Sequence, residues 1–373
     1  MNQSNDTING NQNNDPDINF DVIEFVTSKV PEFKIYEYSI EKETYYLFGV
    51  CDIDPNDIIR RLWVPLSQVG YTIKSGYELG EFILIVSPTV PQRERVWINV
   101  VLLIVTIFST MLAGSLFFFN GDPFSHPVEI FKGLPYTLAI MFVLGSHEMG
   151  HYIVAKMHGM KTSLPYFIPF PHLIGTMGAV IKHRGPIPSR TTLFDVAVAG
   201  PIVGLVASVL VIIIGLSLPP IPVPQDSLFT IQLSLPILFT IIADFVGGYD
   251  PEMVIHPVVF AGWVGMLVTT LNLIPAGQLD GGHMMRAILG PRSAYVSALM
   301  PLILLSISMY IFFILQQNGT MWLFWGILIA LFASSGHPEP LEDSESISRG
   351  RMILGILTFI AGLMCATLTP IQI

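Results

Sequence analysis

The chain has 373 residues, of which 51% are hydrophobic and 12% charged, and its mean hydropathy is +0.61. Soluble globular chains carry about 25% charged residues, so a purely soluble protein is excluded and an integral membrane protein is indicated. The net charge of −10 argues against a nucleic-acid partner, which needs a basic face.

Residues 1–19 are polar and low in complexity, and read as a disordered tail. They lack the apolar core of a signal peptide, so the N-terminal part is expected to stay in the cytoplasm. Residues 20–91 have the composition of a small soluble α+β domain. A short helix is expected over Asp21–Val30, stopped by Pro31, followed by strands within Phe33–Val50. Asp54-Pro55-Asn56-Asp57 is a helix start, with a capping acid before proline, and that helix should run to about Val69. Tyr71–Ser75 and Glu81–Val86 then read as a second hairpin turning around Ser75-Gly76. No catalytic signature lies in this domain. Its Cys51, and Cys365 near the other end, read as small hydrophobes in a reducing compartment rather than a disulfide pair.

Residues 97–373 read as a transmembrane domain with its core at 135–290. The first span is expected at Trp97–Phe119. Arg93 and Arg95 before it place that end in the cytoplasm by the positive-inside rule. The second, Pro135–Met157, returns to the cytoplasmic side, where Lys156, Lys161, Lys182, Arg184 and Arg190 follow. Prolines 165, 169, 171, 186 and 188 forbid a long helix in the next stretch, yet Tyr166–Phe170 and Ile174–Ile181 are apolar. Short strands dipping into the membrane against protein satisfy such a backbone, and an exposed strand edge can pair with an extended peptide. A third span at Phe194–Leu218 contains Ala199-Gly200-Pro201 and Gly204, read as packing positions. Leu228–Val246 reads as re-entrant, because a full crossing would put Asp280 on the far side of the membrane from His147. Further spans at Val258–Ile274, Tyr295–Leu315, Met321–Ser334 and Met352–Leu368 bring the expected number to seven.

The chemistry gathers at the cytoplasmic end of the second span. His147-Glu148-x-x-His151 puts two imidazoles on one helix face, a turn apart, with a carboxylate beside them. This is the pattern of two zinc ligands and a general base. Three polar groups inside a span are costly, which marks them as functional. A catalytic zinc needs a third protein ligand. Asp280, in Asn272-Leu-Ile-Pro275-Ala-Gly277-Gln-Leu279-Asp280-Gly281-Gly282, is the leading candidate, with Asp244 and Asp250 as competitors on the external side. His283 is a candidate neighbour of the site. His158, His172, His183, His256 and His337 are assigned to loops and interfaces without function.

His147-Glu148-x-x-His151, Asn272-x-x-Pro275 with Leu279-Asp280-Gly281-Gly282, and Gly175-Thr176-x-Gly178-Ala179 between them together resemble the site-2 protease family. These are intramembrane zinc metalloproteases, and the branch with archaeal, cyanobacterial and chloroplast members is the most similar. The resemblance covers roughly residues 135–290. It implies one zinc ion per chain held by His147, His151 and Asp280, with Glu148 as general base. It further implies that Asn272 bonds substrate or the developing oxyanion. Gly175, Thr176 and Gly178 then belong to a membrane-dipping β element that binds substrate. The implied activity is hydrolysis of a peptide bond within or near a transmembrane segment of single-span membrane proteins, in the bilayer, with the site opening to the cytoplasm. The different-class alternative is a metal-ion transporter or metal-binding membrane protein using the same ligands. A transporter usually shows internal repeats and polar groups through the full bilayer. Here no repeat is visible and the polar residues cluster at one depth.

Overall fold

In a computed structural model, residues 21–78, 81–89, 95–184, 187–219, 232–247, 256–333, 340, 343 and 346–372 are described. The expected N-terminal tail, Asp250 and His337 lie outside them. The chain divides into two compact units, Met1–Pro91 and Gln92–Ile373.

The first unit begins with α1 (Val22–Lys29), whose free N–H groups at Ile23 and Glu24 donate to the side chain of Asp21. The order continues β1 (Phe33–Glu41), β2 (Thr44–Cys51), α2 (Pro55–Gln68), β3 (Tyr71–Glu78) and β4 (Glu81–Pro88). The four strands form one antiparallel sheet in the order β1-β2-β4-β3. Ile58, Leu62 and Leu66 recur at the helical period on α2 and are fully buried, as are Leu47, Leu84 and Val86 at period two on the strands. The second hairpin turns later than the sequence reading placed it. Gly76 lies inside β3 opposite Ile83, and the ladder runs on to Tyr77↔Phe82. Those two rings stack edge to face, 5.7 Å between centroids, so the cross-strand aromatic pair holds strand pairing past the glycine.

The second unit is helical. It runs α3 (Val96–Ala113), α4 (Leu134–Met157), β5 (Lys161–Thr162), β6 (Tyr166–Pro169), β7 (Thr176–Val180), β8 (His183–Arg184) and α5 (Arg190–Leu216). Then come β9 (Gln232–Leu233), α6 (Ile237–Val246), α7 (Pro257–Asn272), α8 (Asp280–Leu289), α9 (Ser293–Phe313), α10 (Thr320–Ala333), α11 (Arg349–Met364) and β10 (Ile371–Gln372). Among the described residues, four helical stretches are long and apolar enough to cross a membrane: Val96–Phe118, Pro127–Met157, Arg190–Leu216 and Asp280–Phe313. The expectation of seven spans is therefore met by length in four. α7, α10 and α11 occupy the other three expected positions but have 16, 14 and 16 residues. At ~1.5 Å per residue, a 16-residue helix covers ~24 Å of a ~30 Å hydrocarbon core. α7 ends at Asn272, three residues before Pro275, whose ring disfavours helical geometry in the residue that precedes it. α6, with ten residues, is shorter still.

The centre of this unit is the packing of α4, α5 and α7. Tyr136, Ile140, Val143 and Leu144 meet Ala207, Val211 and Ile212, and both sets meet Val259, Phe260 and Trp263. A second core, of Leu193, Phe194, Leu273, Met284, Ala287 and Ile347, joins the start of α5 to α8. Both cores include residues of α5, which links the α4–α7 packing to α8.

Candidate metal centre

The close approach of α4 and α5 is made through glycine. Gly150 of α4 lies against the backbone of Ala199, where an added Cβ would meet the carbonyl oxygen at 2.8 Å. On α5, Gly204 lies under the His147 ring, with 2.8 Å between a would-be Cβ and Nδ1, and a methyl on Gly200 would overlap the His151 ring. The Ala199-Gly200-Pro201-x-x-Gly204 stretch is thus packing, as the sequence suggested, but packing of a particular kind. It forms two slots that receive the two imidazoles.

The turn from α7 to α8 brings the third group. Backbone bonds from Ile274 to Leu271, Ala276 to Ile274 and Leu279 to Ala276 fold residues 273–279 back on themselves, with Gly277 at φ +56°. A side chain on Gly282 would meet the Gly277 carbonyl at 2.5 Å, and one on Gly281 would collide with the Leu273 carbonyl. The two glycines therefore let α8 start directly beside the end of α7. Asp280, the first residue of α8, returns to the level of Asn272, the last residue of α7.

His147, Glu148 and His151 are 4%, 9% and 6% exposed, so none of them is a surface residue. Asp280 Oδ2 lies 3.2 Å from His147 Nε2 and 3.3 Å from His151 Nε2, and the two Nε2 atoms are 3.2 Å apart. These are the edges of one face of a tetrahedron. Bonds of ~2.0–2.1 Å at tetrahedral angles give ligand–ligand separations of roughly 3.3–3.4 Å, so the three groups fit a single zinc ion with a fourth position open. His151 Nδ1 lies 2.8 Å from the Val196 carbonyl oxygen, to which it donates, which directs Nε2 of the same ring to the other two ligands. Among the described residues this is the one group of three such side chains placed to hold a metal ion. Of the competitors, Asp244 lies on α6 outside the group.

Asn272 joins the same point, with Nδ2 3.2 Å from His147 Nε2. A cleft of about 270 Å³ opens beside these groups. Its walls include Glu148, Asn272, Gln278, His283 and the run Ala179-Val180-Ile181 at the end of β7. The hairpin expected between the second and third spans is present as β6 paired with β7, and it delivers its last residues to the cleft. Gly175, Thr176 and Gly178 lie away from the cleft and shape the hairpin. Thr176 Oγ1 donates to Ile168 O at 2.9 Å and accepts from the Gly178 N–H at 3.0 Å, and Gly175 and Gly178 hold φ of +80° and +100°.

One cleft residue escaped the sequence reading. His183 lines the cavity, carried there by the pairing of β5 with β8, in which it stands opposite Thr162. No local spacing links it to residues 147–151, so only that strand pair reveals it. His158, also assigned no role, lies 3.1 Å from Asp195. The same carboxylate accepts two bonds from Arg351 at 2.7 and 2.8 Å, tying the ends of α4, α5 and α11 together.

Comparison with known proteins agrees with this arrangement. Residues 135–315 match the family described as Peptidase family M50. The chain is 29% identical over 245 residues to "Probable zinc metalloprotease EGY1, chloroplastic" of Arabidopsis thaliana, covering 64% of this chain and 43% of that protein. It is 30% identical over 246 residues to "Probable zinc metalloprotease EGY2, chloroplastic" of the same plant, covering 64% and 42%. The rice (Oryza sativa subsp. japonica) EGY1 protein is 27% identical over 247 residues, covering 64% and 41%. The chain thus spans less than half the length of these relatives. No solved structure matches it.

Proposed function

We propose, on the match of residues 135–315 to peptidase family M50, that the protein is an intramembrane zinc metalloprotease cleaving single-span membrane proteins. The observation that carries the proposal is the convergence of His147, His151 and Asp280 within 4.8 Å, beside Glu148, among apolar helices. His147, His151 and Asp280 would hold a zinc ion, which when bound would supply Lewis-acid activation of water and of the scissile carbonyl. The chain's own residues supply the rest. Glu148 accepts the proton of the attacking water and returns it to the leaving amine. The Asn272 amide, held at the ligand cluster, donates to the substrate carbonyl as negative charge develops.

A helical peptide bond is shielded, so the substrate segment must unwind before attack. The outer edge of β7 receives it as an added strand, with the turn residues Gly175, Thr176 and Gly178 setting the hairpin's shape. Seven spans, with α7, α10 and α11 among them, keep residues 20–91 and the opening of the cleft on the cytoplasmic side, in agreement with the Lys and Arg distribution.

The test uses the full chain in zinc-loaded proteoliposomes with single-span substrates, the products being identified by mass spectrometry. Glu148→Gln should keep stoichiometric zinc and lose cleavage by ~10²–10⁴-fold. Asp280→Ala should lose both zinc and cleavage. Zinc uptake into the vesicles without proteolysis, or full activity in Glu148→Gln, overturns the proposal.

A further inference from the structure

The family match begins at residue 135, so α3 lies outside it. Yet α3 is the helix on which the β6–β7 hairpin is mounted. Asn99, buried near the start of α3, donates both hydrogens of its amide across to the chain entering β6. One goes to the Leu164 carbonyl at 2.8 Å and the other to the Pro165 carbonyl at 3.0 Å. Ten residues on, ~15 Å along the helix, Ser109 Oγ donates to the Gly175 carbonyl at the hairpin's far end, at 2.6 Å. The turn is pressed directly onto α3. A Cβ on Gly175 would meet Thr110 Cα at 2.6 Å and the Ser109 carbonyl at 2.9 Å, so only a residue without a side chain allows this contact. From α4, Tyr136 Oη donates to the adjacent Ile174 carbonyl at 2.8 Å.

These bonds clamp the hairpin at both ends of its length, and they do so with polar groups in an apolar span, where such groups are expensive. β6 packs on α3. β7 has no second partner strand among the described residues, and it runs on through Ala179, Val180 and Ile181 into the cleft wall. A displacement of the hairpin along α3 therefore moves the free edge of β7 relative to His147, His151 and Asp280 by the same amount.

We propose that α3 is a rail fixing the height of the β6–β7 hairpin, and that Asn99 and Ser109 are positioning residues that select which peptide bond of an added substrate strand lies at the metal centre. The proposal rests on the reading of β7 as the strand that receives substrate. Neither residue touches substrate. They act through the hairpin, so their loss changes register rather than chemistry. Because strand side chains alternate with period two, the preferred slip is by two residues, which keeps the same side chains facing the cleft.

The experiment compares full-length wild type, Asn99→Ala, Ser109→Ala, the double variant, Ser109→Thr and, as a control on the same helix, Thr106→Ala. The Thr106 hydroxyl bonds only its own helix, at the Leu102 carbonyl. Two measurements are made: the cleavage-site distribution on a single-span substrate, and hydrogen exchange of the amides in residues 164–181. The alanine variants should yield a second product displaced by two residues and a fall in kcat/KM on the order of tenfold, because misplacement of reacting groups by ~1 Å has large effects on rate. Exchange should rise across β6 and β7 but not in α4 or α5. Ser109→Thr keeps the donor and should restore the single product, and Thr106→Ala should match wild type.

Unchanged cleavage sites and exchange in the double variant overturn the proposal. So does an activity loss at unchanged sites with raised exchange throughout the membrane unit, which marks general destabilisation. If wild type cleaves no substrate, the protease reading fails, and the exchange measurement still decides whether α3 holds the hairpin.

Discussion

Two helix pairs in the membrane unit solve the same packing problem differently. α4 and α5 meet through Gly150, Gly200 and Gly204, and what fills the resulting space is backbone on one side and two imidazole rings on the other. α9 and α10 also meet at a glycine, Gly326, but a Cβ there would meet the Leu305 side chain, 3.0 Å away, a flexible neighbour that can yield. Around that contact lie Leu304, Ile311, Trp322 and Ile329, an apolar cluster with no ionisable member. The first pair leaves no room for a side chain at these glycines, because backbone and the two rings already fill the space. The second needs only volume, and volume-conserving packing tolerates change. Close helix approach in membranes is usually discussed as a source of affinity between helices. In α4–α5 it also makes room for side chains that carry chemistry.

Graded substitutions should break or sharpen this contrast. The largest effect is expected at Gly200. Gly200→Ala puts a methyl into the His151 ring, so zinc content measured on the purified protein should fall below about a tenth of wild type and proteolysis should vanish with it, the His151 Nε2 ligand being displaced. Full zinc occupancy in that variant would show that α4 and α5 can separate, and the contrast would collapse. Gly204→Ala comes next. Its methyl presses on Nδ1 and Cβ of His147 without reaching the ligand nitrogen, and zinc affinity by competitive chelation should weaken ~10–100-fold, the range seen when the support of a ligand is disturbed.

Smaller effects belong to the other pair. Ser308→Ala removes a 3.0 Å bond from α9 to the Gly319 carbonyl and should cost about 0.6 kcal/mol in thermal stability, leaving zinc and cleavage unchanged. The smallest change is expected for Arg351→Met, which breaks the Asp195 pair. Both partners are partly solvent-exposed, so a loss of about 0.2–0.5 kcal/mol is expected in an unfolding measurement. A larger loss would assign the α4–α5–α11 tie more weight than its exposure implies.

The sequence alone determined the helix that carries the two candidate histidine ligands, because His147 and His151 need only the helical period to share a face. It also ranked Asp280 ahead of Asp244 and Asp250 as the candidate third ligand, since Asp280 stands in a stretch whose proline and glycines favour a break in helix. The existence of the β6–β7 hairpin followed from prolines that exclude helix in an apolar stretch. Tertiary structure decided what depends on contacts between distant segments. Whether Asp280 Oδ2 reaches both Nε2 atoms depends on the backbone turn over residues 273–279. The place of His183 depends on strand pairing 21 residues apart, and the grip of Asn99 on the hairpin joins residues 65 apart in the chain. Among the described residues, the number of helices long enough to cross the bilayer differed from the hydropathy count because apolar composition licenses a span without fixing a helix length: α7 and α11 have 16 residues and α10 has 14. Periodicity and composition are local properties and can be read along the chain. Slots such as those of Gly200 and Gly204, by contrast, exist only once another helix has filled them.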